Sequence, residues 1–145
     1  LDRRCVPEES IAQVYEELEA IAQQLHEEDP RFRAVIRDVF EGANDMPHLP
    51  FATDPQDPLV QSVKTAMRLE REARHGESLK EETIPLSVFP AWTDAGFMTS
   101  QTDMTCIILG PGQLGVAHSV HECVEIEQLQ QAAFVYAITA IGYCR

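Results

Sequence analysis

At 145 residues the chain has the length of one domain, and its 44% hydrophobic content is ordinary for a globular protein. A formal charge of −13 argues against nucleic acid as a partner, because the phosphates would be repelled and would not shed counterions onto Lys and Arg. No stretch approaches the ~20 apolar residues that cross a bilayer, so no membrane association is expected. The four cysteines, Cys5, Cys106, Cys123 and Cys144, show neither Cys-x-x-Cys spacing nor a dense framework, so reduced thiols in a cytoplasmic protein are expected.

Across residues 10–26, Ile11, Val14, Tyr15, Leu18, Ile21, Ala22 and Leu25 recur in steps of three and four, with Glu16, Glu17, Glu19, Gln23 and Gln24 between them. That spacing predicts an amphipathic helix, ended by Asp29-Pro30. Residues 32–40, rich in Val, Ile and Phe among charges, read as a strand with one wet face. Residues 42–58 are dense in Pro, Asp and Asn and read as loop. Asp57-Pro58 then has the form of an N-cap and first-turn proline, opening a helix to about Arg74 that His75-Gly76 stops. Strand, helix, strand, helix in the first half predicts a small α+β sandwich, both helices on one face of an antiparallel sheet.

In the second half, Ile84, Leu86 and Val88 alternate with polar or small residues, predicting extended backbone over 83–89 despite Pro85. Thr93-Asp94 caps a short helix to about Thr99, with Asp94 read as the N-cap. Residues 104–109 are short, unbroken and apolar, the pattern of a strand buried on both faces of a parallel sheet. Gly110-Pro111-Gly112 follows, and Ala117-His118 falls on irregular backbone past the carboxyl end of that strand, where open α/β sheets collect ligands. A histidine there can offer neutral imidazole to a metal, and a surface or packing role is the plainer alternative. Leu129, Ala132, Ala133, Tyr136, Ala137, Ala140 and Ile141 mark one face of a last helix over 127–143, whose small residues suit close packing on a sheet.

From Trp92 onward the chain resembles the last segment of the zinc-dependent aminoacylase family. That family includes acetylornithine deacetylase, succinyl-diaminopimelate desuccinylase, the carboxypeptidase G enzymes and several di- and tripeptidases. The resemblance rests on Thr93-Asp94-Ala95, Gly110-Pro111-Gly112, Ala117-His118 and the run Glu122-Cys123-Val124-Glu125-Ile126-Glu127-Gln128-Leu129. Asp2-Arg3-Arg4 with Pro7-Glu8-Glu9 is similar to the Asp-x-Arg…Pro-Gly-Glu element of the family's inserted lid, with Glu8 standing where glycine is common. The resemblance implies an α/β protein in two parts. Residues 1–82 would be a partial ferredoxin-like α+β lid used for dimerisation. Residues 83–145 would be the C-terminal strand-helix segment of a zinc-peptidase-like α/β catalytic domain. It also implies that the chain is the C-terminal part of a larger enzyme, whose N-terminal remainder carries the other ligands and the general base.

Carried over by position, the zinc ligand is His118, in a site of two zinc ions, with Co or Mn as alternatives. A ligating imidazole needs a partner on its other nitrogen, and Glu122 is the candidate, its alternative being an acid favoured by a helix N-terminus. His121 stands where the family has Asp or Asn and reads as a polar helix-entry residue, and Cys123 as a small buried one. Arg4 is placed to bind a substrate carboxylate or to form a strand-end salt bridge. Trp92 and Thr93 stand at the element that approaches substrate in relatives, although Trp92 replaces a frequent glycine. No catalytic residue is assigned within the chain. The expected activity is amide hydrolysis of small N-acyl amino acids by a homodimer. A di- or tripeptidase or carboxypeptidase is the alternative inside the family, and a non-catalytic dimerisation module the alternative outside it.

Overall fold

The computed structural model of the chain describes residues 3–37, 49–76 and 84–144. They form four α-helices: α1 (Ile11–Glu28), α2 (Pro58–His75), α3 (Asp94–Gln101) and α4 (Ile126–Tyr143), with a 3-10 turn at Leu114–Val116. The helix ends follow local chemistry. Ser10 caps α1 by accepting from the Gln13 N–H at 3.1 Å, while the Gln13 side chain accepts from the Ser10 N–H at 2.9 Å. This reciprocal capping box satisfies two of the donors left over at a helix start. Asp57 caps α2 by accepting from the Leu59 N–H at 2.8 Å, with Pro58 in the first turn. Gly76 ends α2 at φ 66, a left-handed conformation that costs glycine little.

The chain divides into two compact units, one of Leu1–Ala52 with Trp92–Met104 and one of Thr53–Ala91 with Thr105–Arg145. In the first, α1 buries Val14, and α3 begins at Asp94 with Thr93 in the cap position. Asp94 is thus the first helical residue and not the N-cap. Gly96 lies so close to the Leu49 carbonyl that a Cβ there would sit 2.5 Å from it. The second unit is built on α2 packed against α4. Val60, Val63, Ala66 and Glu70 form the buried stripe of α2, and Val135 is the buried residue of α4.

The expected sheet is corrected by the structure. Among the described residues there is no strand, so neither the ferredoxin-like α+β lid nor the strand of a catalytic α/β sheet is formed. Residues 32–37, 85–90 and 104–110 are irregular; residues 38–40 and 83 of the anticipated strands lie outside the described residues, as does Asp2. The expectation of two helices on one sheet face also fails, because α2 packs on α4. The reason is that a helix closes its hydrogen bonds within itself, whereas a strand needs a neighbour 4.7–4.9 Å away to pair with. No described segment pairs with residues 105–109, which are held by side chains instead. Thr53 Oγ1 donates to the Cys106 carbonyl, Thr105 Oγ1 to Asp57 Oδ2 at 3.2 Å, and Tyr136 Oη to the Leu109 carbonyl at 2.8 Å.

The face of α4 read from sequence as sheet-packing is correspondingly open, with Leu129, Tyr136 and Ile141 all exposed. Its covered side is instead Gln128, Gln131, Ala132, Val135, Ile138 and Thr139. A helix apolar nearly all round offers more than one face for burial, and α2 takes the one it can reach.

Candidate functional site

The loop from Gly110 to Glu122 is a succession of tight turns leading from the extended segment to α4. Gly112 has φ 100, which a side chain would strain, and its N–H donates to Gln128 Oε1 at 2.8 Å, fastening the loop to the first turn of α4. Val116, Ala117 and Ser119 N–H groups each donate three residues back at 3.2 Å. Ser119 Oγ donates to the Val116 carbonyl at 2.7 Å and accepts from the His121 N–H at 3.1 Å. These local bonds carry the chain through the loop to α4, which begins at Ile126, one residue before the expected start.

His118 stands at the bend of this loop. Among the described residues it is the one non-glycine with positive φ, at 60°. A side-chain-bearing residue in that region costs on the order of 1–3 kcal/mol and persists only where its surroundings fix it. The fixing group is Glu122, whose Oε2 accepts from the His118 backbone N–H at 2.7 Å. A charge-assisted bond of that length is among the stronger ones available to a loop. Glu122 therefore acts on the main chain of His118, while the imidazole is exposed with no hydrogen-bond partner among the described residues. Both ring nitrogens are thus available to an incoming ligand. His121 and Cys123 are exposed in the same stretch.

The donor chemistry of His118 suits zinc as one arm of a site. Among the described residues no three His, Cys, Asp or Glu side chains come together as a metal-binding group. Structural and catalytic zinc takes three or four protein ligands, so a zinc ion here would need further ligands beside the His118 imidazole.

The three residues expected to meet substrate belong to the other unit, and each is described there by itself. Arg4 is exposed, and its neighbour Arg3 pairs with Glu9 at the foot of α1. Trp92 lies over the first turn of α3, its Nε1 3.0 Å from where a Cβ on Gly96 would be. Thr93 occupies the cap position without a side-chain cap bond, and its Oγ1 is buried with no partner among the described residues.

Sequence reasoning missed a cleft of about 630 Å³ in the second unit, where the last turns of α2, Gly110-Pro111-Gly112 and the start of α4 converge. At its base Glu70, 8% exposed, pairs with Arg74 at 2.9 Å, and Arg74 also reaches Glu127. With its carboxamide oxygen turned toward Arg74, Gln131 accepts from Nη1 at 2.6 Å and Nη2 at 2.8 Å. The available signal was the Glu70–Arg74 pair four residues apart on a stripe otherwise apolar.

The sequence profile described as Peptidase family M20/M25/M40 matches residues 15–141. A curated protein of Bacillus subtilis (strain 168), N-formyl-4-amino-5-aminomethyl-2-methylpyrimidine deformylase, is 35% identical over 68 residues, 47% of this chain and 16% of that protein. No solved structure matches the chain.

Proposed function

The chain belongs to the M20/M25/M40 peptidase family, and on that premise we propose that it is part of a zinc-dependent hydrolase that cleaves the amide bond of small N-acyl amino acids. The observation that carries the reading is His118, held in a left-handed conformation by the Glu122 carboxylate with its imidazole unengaged among the described residues. Strain held at one histidine by a specific acid is the pattern of a residue positioned for use. A bound zinc ion supplies Lewis acidity toward the amide carbonyl and lowers the pKa of water. Within this chain, His118 presents one imidazole nitrogen to the metal, and Glu122 fixes the backbone from which that imidazole projects. Arg4, Trp92 and Thr93 are proposed to face the substrate, with the Arg4 guanidinium taking its carboxylate.

Deacylation is preferred over peptide hydrolysis because the Bacillus subtilis relative is named for removing a formyl group. The remaining ligands and the general base are proposed to come from an N-terminal segment, since a zinc site takes three or four protein ligands. Homodimerisation through residues 1–82 and a cytoplasmic location belong to the same proposal; among the described residues no helix is long and apolar enough to cross a membrane.

The test is metal content and turnover of the complete enzyme carrying His118→Ala, with His121→Ala as control. Loss of zinc and of most activity is expected in the first and retention in the second, since removing a ligand outweighs any change behind it. Zinc retained by His118→Ala but lost by His121→Ala would place the ligand elsewhere on the loop. A panel of acyl amino acids against dipeptides decides between deacylase and peptidase.

A further inference from the structure

The cleft beside α2 and α4 has an unequal hydrogen-bond account. Its side-chain acceptors each have a partner: Glu70 Oε1 has Arg74 Nε, Gln128 Oε1 the Gly112 N–H, and Gln131 Oε1 Arg74. The Leu109 carbonyl on its wall is taken by Tyr136 Oη. On the side chains, what remains is mostly donors. Arg71 and His75 line the cleft with no partner among the described residues, and the Gly110 N–H has no acceptor there. Gln128 and Gln131, each with its oxygen engaged, have their amide –NH2 groups left to offer. Arg74 is engaged by both Glu70 and Glu127, so Arg71 is the guanidinium of the cleft with no carboxylate paired to it among the described residues. The carboxyl end of α2 carries partial negative charge, which the basic residues of its last two turns offset.

From this account we propose that the cleft is a binding site for a small oxyanion-bearing ligand, a carboxylate or a phosphate, held by Arg71 with His75, the Gly110 N–H and the two glutamine amides. Arginine presents a planar fork that matches either oxyanion through two parallel bonds. A neutral imidazole still has one N–H, so His75 donates in either tautomer. The site rests on neither zinc nor His118. All its groups lie in the second unit, and its failure would leave the hydrolase reading untouched.

The experiment is a two-dimensional amide NMR titration of the chain with sodium phosphate and, separately, sodium succinate, against sodium chloride of matched ionic strength. Saturable shifts at the Gly110 amide and the Gln128 and Gln131 side-chain amides are expected with at least one anion; which one responds distinguishes phosphate from carboxylate. Arg71→Gln should weaken binding by about tenfold or more, as expected for loss of a charged hydrogen-bond pair. Because Arg71 is exposed and has no partner among the described residues, that variant keeps the fold, which its amide spectrum reports directly. Arg68→Gln, whose arginine is engaged by Glu72 at 3.1 Å, should bind as the unsubstituted chain does. Absence of a saturable shift with either anion, equal affinity in Arg71→Gln, or an equal loss in Arg68→Gln would overturn the proposal.

Discussion

Arg74 ties α2 to α4, and replacing it with Met tests how that pairing is stabilised. The substitution keeps the aliphatic stem and removes the charge, leaving the Glu70 carboxylate, 8% exposed, without its counter-charge. Stranding one member of a fully buried pair costs roughly 3–5 kcal/mol. The side chain of Arg74 is one-third exposed, so solvent screens part of that interaction and about 2–3 kcal/mol is the better expectation. The contact with Glu127, whose side chain is 68% exposed, adds under about 1 kcal/mol. Urea unfolding followed by circular dichroism measures the total, and hydrogen exchange at the Val63 and Val135 amides localises it to the α2–α4 contact. The companion variant Glu70→Leu with Arg74→Met removes both charges and adds apolar volume to the buried stripe. It should recover to within about 1 kcal/mol of the unsubstituted chain, since a buried ion pair replaced by packed apolar groups is often neutral. A cost below about 0.5 kcal/mol for Arg74→Met, or a double variant no more stable than the single one, would refute the assignment of Glu70 as a charge that needs its partner.

Two further outcomes follow from local geometry. Gly112→Ala should destabilise the loop by about 1 kcal/mol or more through backbone strain alone, because φ is 100 and the nearest side-chain atom, Val124 Cγ2, would be 3.9 Å from the new Cβ; a thermal melt no different from that of the unsubstituted chain would contradict this. The Arg31 guanidinium beside Asp29 holds its carboxyl below the ordinary aspartate range. A carboxyl lowered in the folded state contributes stability above its unfolded value and loses it as pH falls through the folded one. The carboxyl-carbon NMR titration of Asp29 should therefore move upward in Arg31→Ala, and an unchanged midpoint would dissolve the pair as a solution feature.

Local sequence specified α1 and α2 because both carry their own start chemistry and α2 its own stop. Ser10 with Gln13, Asp57-Pro58 and Gly76 act within a few residues of where they stand, so their effect is readable without knowing the fold. The Gly-Pro-Gly loop and the histidine after it were legible for the same reason, and the motif order pointed to the family to which the chain belongs. Tertiary structure decided what those segments touch. The apolar run at residues 104–109 gives the pattern of a strand, but a strand exists only with a neighbour to share its hydrogen bonds, and the described residues supply side chains from Thr53 and Tyr136 instead. Which face of α4 is buried, that Glu122 grips the main chain of His118, and that Glu70 closes on Arg74 beneath a donor-rich cleft all depend on contacts whose partners must first be brought together by packing. Helix ends are set by bonds spanning three or four residues. Strand pairing, buried charge and cleft chemistry span tens of residues, and that separation is why the sequence alone could not fix them.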